Sequence, residues 1–283
     1  MQTQPEGEFI PPTQDYVPAQ PRRRAVREHS VWDPRSAPGT YALLAINIAV
    51  YLWMVAHGVN PREPSEGALI HYGANHTWLV LHGQWYRLLT ATFVHVGLIH
   101  LATNMWCLWN LGILGEPLLG PLGTVAVYML TGIAGNLLSM AWNVFMMHVR
   151  RDPAYLIQVG AGASGAVFGI AGILIILLSN RRLPFPWREL QRLRSSVVKF
   201  ALINLAIGLS TITFNFGVRI DNSAHIGGFL CGIILGFPLV PRMTAGRDRY
   251  LKRQKATFMV ACFALALFGY YVASFAFPKS LVR

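Results

Sequence analysis

Apolar residues in this chain gather into long runs, with polar residues collected between them. After a polar, Pro-rich stretch over 1–40, seven apolar runs follow near 40–57, 98–115, 120–144, 161–179, 197–216, 222–240 and 256–277. Each approaches the roughly 20 residues that a helix needs to cross a bilayer. The pattern therefore predicts an all-α polytopic membrane protein. The second and fourth runs contain glycines and polar residues of a buried type, which predicts that they face other helices rather than lipid. The segment 58–97 is too polar to cross, yet it carries Trp78, Trp85 and Tyr86. Such rings suit a structure lying in the outer membrane interface.

Composition strengthens this picture. Of 283 residues, 53% are apolar and only 13% are charged, against roughly 25% charged in a soluble domain. Mean hydropathy is +0.40. The net charge of +12 would suggest nucleic acid in a soluble protein. Here the basic residues punctuate apolar runs, so soluble protein and nucleic-acid binder are both excluded as first readings.

Lys and Arg also set an orientation. With the N-terminus inside, the inner segments hold 17 of them and the outer segments 7, which predicts a cytoplasmic N-terminus and an outer C-terminus. The tail lacks an apolar stretch of signal-peptide type and reads as disordered. Cys107, Cys231 and Cys262 lie isolated within apolar runs, unsuited to a disulfide framework or a thiolate metal site.

Four polar residues within the spans need an explanation, because an unpaired polar group in lipid is expensive. Ser164, in Gly160-Ala161-Gly162-Ala163-Ser164-Gly165-Ala166, stands where an outer loop turns into the fourth helix. A serine there is near water and near free helical N–H groups that favour developing negative charge. His225, in Asn222-Ser223-Ala224-His225-Ile226-Gly227-Gly228, lies in the outer third of the sixth helix, and histidine is the natural base near neutral pH. Taken singly, a packing serine and a capping histidine are equally good readings.

Glycine spacing joins the two. Gly228, Gly232 and Gly236 recur every four residues, as do Gly165 and Gly169. Two such stripes let helices pack backbone to backbone and would bring Ser164 and His225 together. Phe168, at i+4 from Ser164, could stack on the imidazole. His100 and Asn104 share a face at the start of the second helix and suit an oxyanion's donors. A His95/His100 metal pair is the competing idea, but no Asp, Glu or Cys at ligand spacing completes it.

Together these residues resemble the rhomboid intramembrane serine proteases over about 40–240. Trp85-Tyr86-Arg87 is similar to the family's Trp-Arg motif, and His95, His100 and Asn104 to its His-x4-His-x3-Asn pattern. Glu116 sits where the family carries an acidic residue. Gly162-Ala163-Ser164-Gly165 resembles its nucleophile motif, and Ala224-His225 with Gly228 and Gly232 its base motif. The resemblance implies a rhomboid-like six-helix core with a water-filled cavity open to the outer face. Ser164 would be the nucleophile and His225 the base. His100, Asn104 and the Ser164 N–H would form an oxyanion hole. It implies single-span membrane proteins as substrates, a lipid-bilayer setting, and no metal or organic cofactor. Phe168 departs from the family, where Tyr is frequent at that position.

The resulting division is a polar tail over 1–39, the protease core over 40–240, a basic cytoplasmic loop over 241–255 and an extra C-terminal transmembrane helix over 256–283. The expected location is a bacterial cytoplasmic membrane. Asp221, four residues before His225, is a possible third member, although the family works as a dyad. The fifth helix, with Phe200, Phe214, Phe216 and Gly208, could lean outward as a gate. A catalytically inactive client-binding relative of the same fold remains the alternative, with a small transporter behind it.

Overall fold

The computed structural model describes residues 34–213, 220–241 and 246–276. Its long helices coincide with the apolar runs: α1 (Pro38–Ala56), α5 (Leu98–Leu119), α6 (Pro121–Arg150), α7 (Ser164–Leu177), α8 (Trp187–Thr213), α9 (Asn222–Leu239) and α10 (Arg247–Ala276). Between α1 and α5 lie α2 (Glu66–His71), α3 (Thr77–Leu81) and α4 (Arg87–Thr90). A two-residue pair, β1 (Asn75–His76) and β2 (Val159–Gly160), runs antiparallel with Asn75 opposite Gly160. Patterning does not reveal so short a pair.

Five of these helices, α1, α6, α8, α9 and α10, are long and apolar enough to cross a membrane. α7 has 14 residues, about 21 Å at helical rise, and is buried along nearly its whole length from Gly165 to Leu177. A helix ringed by others does not have to match lipid thickness. α6 shares this inner position, while α5 is only half enclosed and turns Leu98, Ile99 and Trp106 outward. The expectation that the second apolar run faces only protein therefore holds for one of its sides. The chain is a multi-pass membrane protein with an all-α fold.

Backbone contact sets the centre. α7, α9 and α6 pack most closely of all element pairs. A Cβ on Gly228 would overlap the Gly165 carbonyl, and one on Gly232 that of Gly169. One on Gly135 would lie 2.6 Å from Ala224 O. Small residues permit this approach, from which dispersion and weak Cα–H contacts hold helices together where lipid supplies no hydrophobic drive.

Two polar devices fix the periphery. Glu116, near the end of α5, accepts hydrogen bonds from Gly39 N (2.8 Å), Thr40 N (2.7 Å) and Thr40 Oγ1 (2.7 Å). It thereby satisfies the free donors at the start of α1. Arg87 donates through Nη1 to Ile70 O (2.6 Å) and Ala74 O (3.1 Å), and through Nε to Gln84 Oε1 (2.7 Å). It staples the 58–97 segment, which Asn136 ties to α6 through Leu88 O (2.9 Å). Trp85 and Tyr86 stay exposed on this segment.

Several boundaries differ from expectation: α8 begins at Trp187, ten residues before the apolar run at 197, and α6 continues to Arg150, six beyond 144. The tail ends earlier, since α1 starts at Pro38, a residue suited to a helix's first position. The segment expected as a basic loop over 241–255 is helical from Arg247, because Arg, Leu, Lys and Gln are strong helix formers. Phe214 and Phe216, and the tail over 1–33, lie outside the described residues.

Candidate active site

Ser164 is the first residue of α7, with Ala163 at the N-cap. The approach to it is held on both sides. β2 pairs with β1, and Gly162 N donates to Ala91 O at 2.9 Å. Gly162 has φ +136°, and a Cβ there would stand 2.5 Å from His100 Cε1. Only glycine serves at this point, for its dihedral and for the ring against it.

His225 sits in the first turn of α9, buried at 6% exposure. Its ring stacks on Phe168 with centroids 4.4 Å apart and planes 13° from parallel. Phe168 lies one turn beyond Ser164 on α7, and helical side chains lean toward the N-terminus. The imidazole therefore stands beside the Ser164 turn. The structure contains no hydrogen bond between Ser164 and His225, and His225 Nδ1 is buried without a partner. Such bonds are frequently long in unliganded sites and tighten with substrate.

His100 and Asn104 flank the same region from α5. Asn104 Nδ2 donates to His100 O at 2.8 Å, and His100 Nδ1 is buried without a partner. The His95 ring is 5.4 Å from that of His100. His95 Nδ1 lies 3.2 Å from Phe93 O, while Nε2 has no partner. Among the described residues, no group of three or more His, Cys, Asp or Glu side chains is placed to hold a metal. Three imidazole nitrogens thus stand buried and unpaired around the start of α7.

Asp221 is the N-cap of α9. It accepts from Ala224 N at 3.0 Å and, through its other oxygen, from Ser139 Oγ. Its carboxylate makes no hydrogen bond to the His225 ring; His225 N donates instead to the Asp221 carbonyl oxygen at 3.3 Å. The Ser139 contact spans 82 residues and has no signal in the sequence. Arg87 and Glu116 lie apart from this cluster, as braces of the 58–97 segment and of α1. Gly228 and Gly232 form the seam that sets His225 against α7.

Comparison with known proteins bears on the family of the chain. The model of the Rhomboid domain matches residues 82–242. Rhomboid protease AarA of Providencia stuartii is 34% identical over 211 residues, covering 71% of this chain and 73% of that protein. Rhomboid protease GluP of Bacillus subtilis (strain 168) is 30% identical over 204 residues, covering 70% of this chain but 35% of that protein. Rhomboid-like protease 2 of Toxoplasma gondii is 29% identical over 194 residues, covering 68% of this chain and 62% of that protein. The chain belongs to the rhomboid family, and these relatives are named as proteases.

Proposed function

We propose that this chain is an intramembrane serine endopeptidase working through a Ser164–His225 dyad. The observation that carries the reading is the placement of His225. A glycine seam and the Phe168 ring hold it beside a serine at a helix N-terminus. In the proposed reaction His225 removes the Ser164 proton as Oγ attacks a peptide carbonyl. The oxyanion is received by Asn104, His100 and the Ser164 N–H, the kind of donor set that stabilises developing charge. His225 then returns the proton to the leaving amine, and water hydrolyses the acyl-enzyme with His225 again as base. With Asp221 engaged elsewhere, the imidazole works without a carboxylate partner.

The proposed substrates are single-span membrane proteins, cut in or near the span, with small residues favoured at the cut. The N-terminus lies on the cytoplasmic side, and the site opens outward from a bacterial cytoplasmic membrane. α8 is the proposed route of entry. Its Phe200 ring lies 6.1 Å from Phe168, so movement of α8 would uncover the dyad.

The test is labelling by a fluorescent serine-hydrolase phosphonate in liposomes, followed by cleavage of a model membrane substrate. Wild type labels and cleaves, while Ser164→Ala and His225→Ala do neither. Asn104→Ala cleaves about 10²–10³-fold more slowly. A folded wild-type protein that neither labels nor cleaves would overturn the reading in favour of a client-binding protein.

A further inference from the structure

The foot of α8 carries charge that no carboxylate answers among the described residues. Six basic residues lie between 181 and 199, against Glu189 alone. Two of them have uses within the fold. Arg181 lies over the Trp187 ring at 4.7 Å, and Arg194 donates to Ser179 Oγ at 3.2 Å. No ion pair joins any of the six to a carboxylate among the described residues. Arg188, Arg192 and Lys199 are exposed and, at helical spacing, fall within about 40° of one another. The opposite side holds Leu190 and Val197, both buried.

The outward face then changes character along its length. Beyond Lys199 it continues with Leu202, Ile203 and Ile207, all exposed. α8 has 27 residues, about 40 Å of helix, against a hydrocarbon core of roughly 30 Å. The basic foot from Trp187 to Lys199 takes up about 20 Å of this length, and the face turns from cationic to apolar beyond it. Phe185, 58% exposed, lies just before the helix, in the kind of place where aromatic rings seat at headgroup level.

We propose that this face binds the headgroups of anionic phospholipids, with Arg188, Arg192 and Lys199 engaging phosphate oxygens. Guanidinium groups match phosphate geometry through paired donors. A soluble acidic partner has no need of the apolar continuation above the charges, whereas a lipid covers both parts with one molecule. The site is separate from Ser164 and His225 and does not depend on proteolysis. It would also steady a helix that the protein itself holds lightly, since 17% of the α8 span is buried against 67% for α6.

The experiment uses spin-labelled phosphatidylglycerol and phosphatidylcholine with the full chain in phosphatidylcholine bilayers, reading the motionally restricted fraction of each. Wild type is expected to favour phosphatidylglycerol several-fold. The R188Q/R192Q/K199Q variant is expected to lose more than half of that preference, and R188K/R192K to keep it. A circular dichroism spectrum and thermal midpoint like those of wild type establish that the glutamine variant is folded. Equal association of the two lipids with wild type would overturn the proposal, as would an unchanged preference in the glutamine variant. Abolition of the preference by millimolar inorganic phosphate at constant ionic strength would assign the site to a soluble anion instead.

Discussion

Glu116 and His76 show how single side chains hold this molecule at its two ends. Glu116 is 3% exposed and answers three donors at the start of α1. Its replacement by alanine leaves two buried N–H groups unpaired, and hydrogen bonds to a charged group contribute about 1.5–3 kcal/mol. Glu116→Ala should lower unfolding stability by about 3 kcal/mol in a mixed-micelle denaturation, with Glu116→Gln between it and wild type. His76 lies in the 58–97 segment, where its Nδ1 accepts from Leu79 N at 3.4 Å. Burial, then the positive charge of Arg87, lowers its pKa below the usual 6.5. The unfolded chain therefore takes up the proton first as pH falls. Stability owed to neutral His76 is complete above about pH 6.5 and declines below it, until the folded-state pKa is passed. His76→Asn keeps a capping side chain without titrating, so its melting temperature should fall less steeply below pH 6.5. Parallel curves would remove His76 from the acid response.

At the scale of elements, the seam between α7 and α9 sets the geometry around Ser164. A Cβ on Gly228 would overlap the Gly165 carbonyl, and Gly165 is the residue after Ser164. Backbone cannot move aside as a flexible side chain does, so Gly228→Val has to separate the helices. It should abolish phosphonate labelling while the protein remains helical by circular dichroism. Labelling at the wild-type rate would show that the seam does not govern the site. Four-residue glycine spacing made the seam legible in the sequence, and the i+4 relation pointed Phe168 toward the imidazole it stacks on. The place of Asp221 was not legible. A capping residue one turn before a histidine reads equally well as its orienting partner, and only the approach of Ser139 from α6 gives its second oxygen another donor.

At the scale of the whole molecule, α10 runs as a strut from the turn between α5 and α6 to the 58–97 segment. Near its start, Gln254 Nε2 donates to Leu119 O at 2.9 Å and Tyr250 Oη to Leu118 O at 3.1 Å. Toward its end, a Cβ on Gly269 would stand 3.3 Å from both Leu137 Cδ2 and Trp85 Cζ3, and Phe275 packs on the His148 ring at 4.8 Å. Gly269→Leu forces these neighbours apart, and overpacking of this kind costs about 1–3 kcal/mol. The variant should melt several degrees lower in micelles while its folded fraction still labels at Ser164. A loss of labelling with an unchanged melting temperature would give α10 a direct part in the chemistry.

The sequence by itself determined that this is an all-helical membrane protein of the rhomboid family. Apolar runs of span length have no other way to satisfy their backbones in lipid, and the separated motifs stand in one order along the chain. It also placed most helix ends to within a few residues, except the starts of α8 and α10, where charge was read as loop in stretches that are helical, and the end of α6. Apart from the glycine seam, only the tertiary structure decided which faces meet. It made α7 central despite its short length, paired β1 with β2, engaged Asp221 with Ser139 and laid α10 against Trp85. These outcomes rest on contacts between residues far apart in the chain, whose energies depend on distance and burial rather than on local spacing. Periodicity along one helix says which of its residues share a side, but the partner of that side is set only when the helices pack.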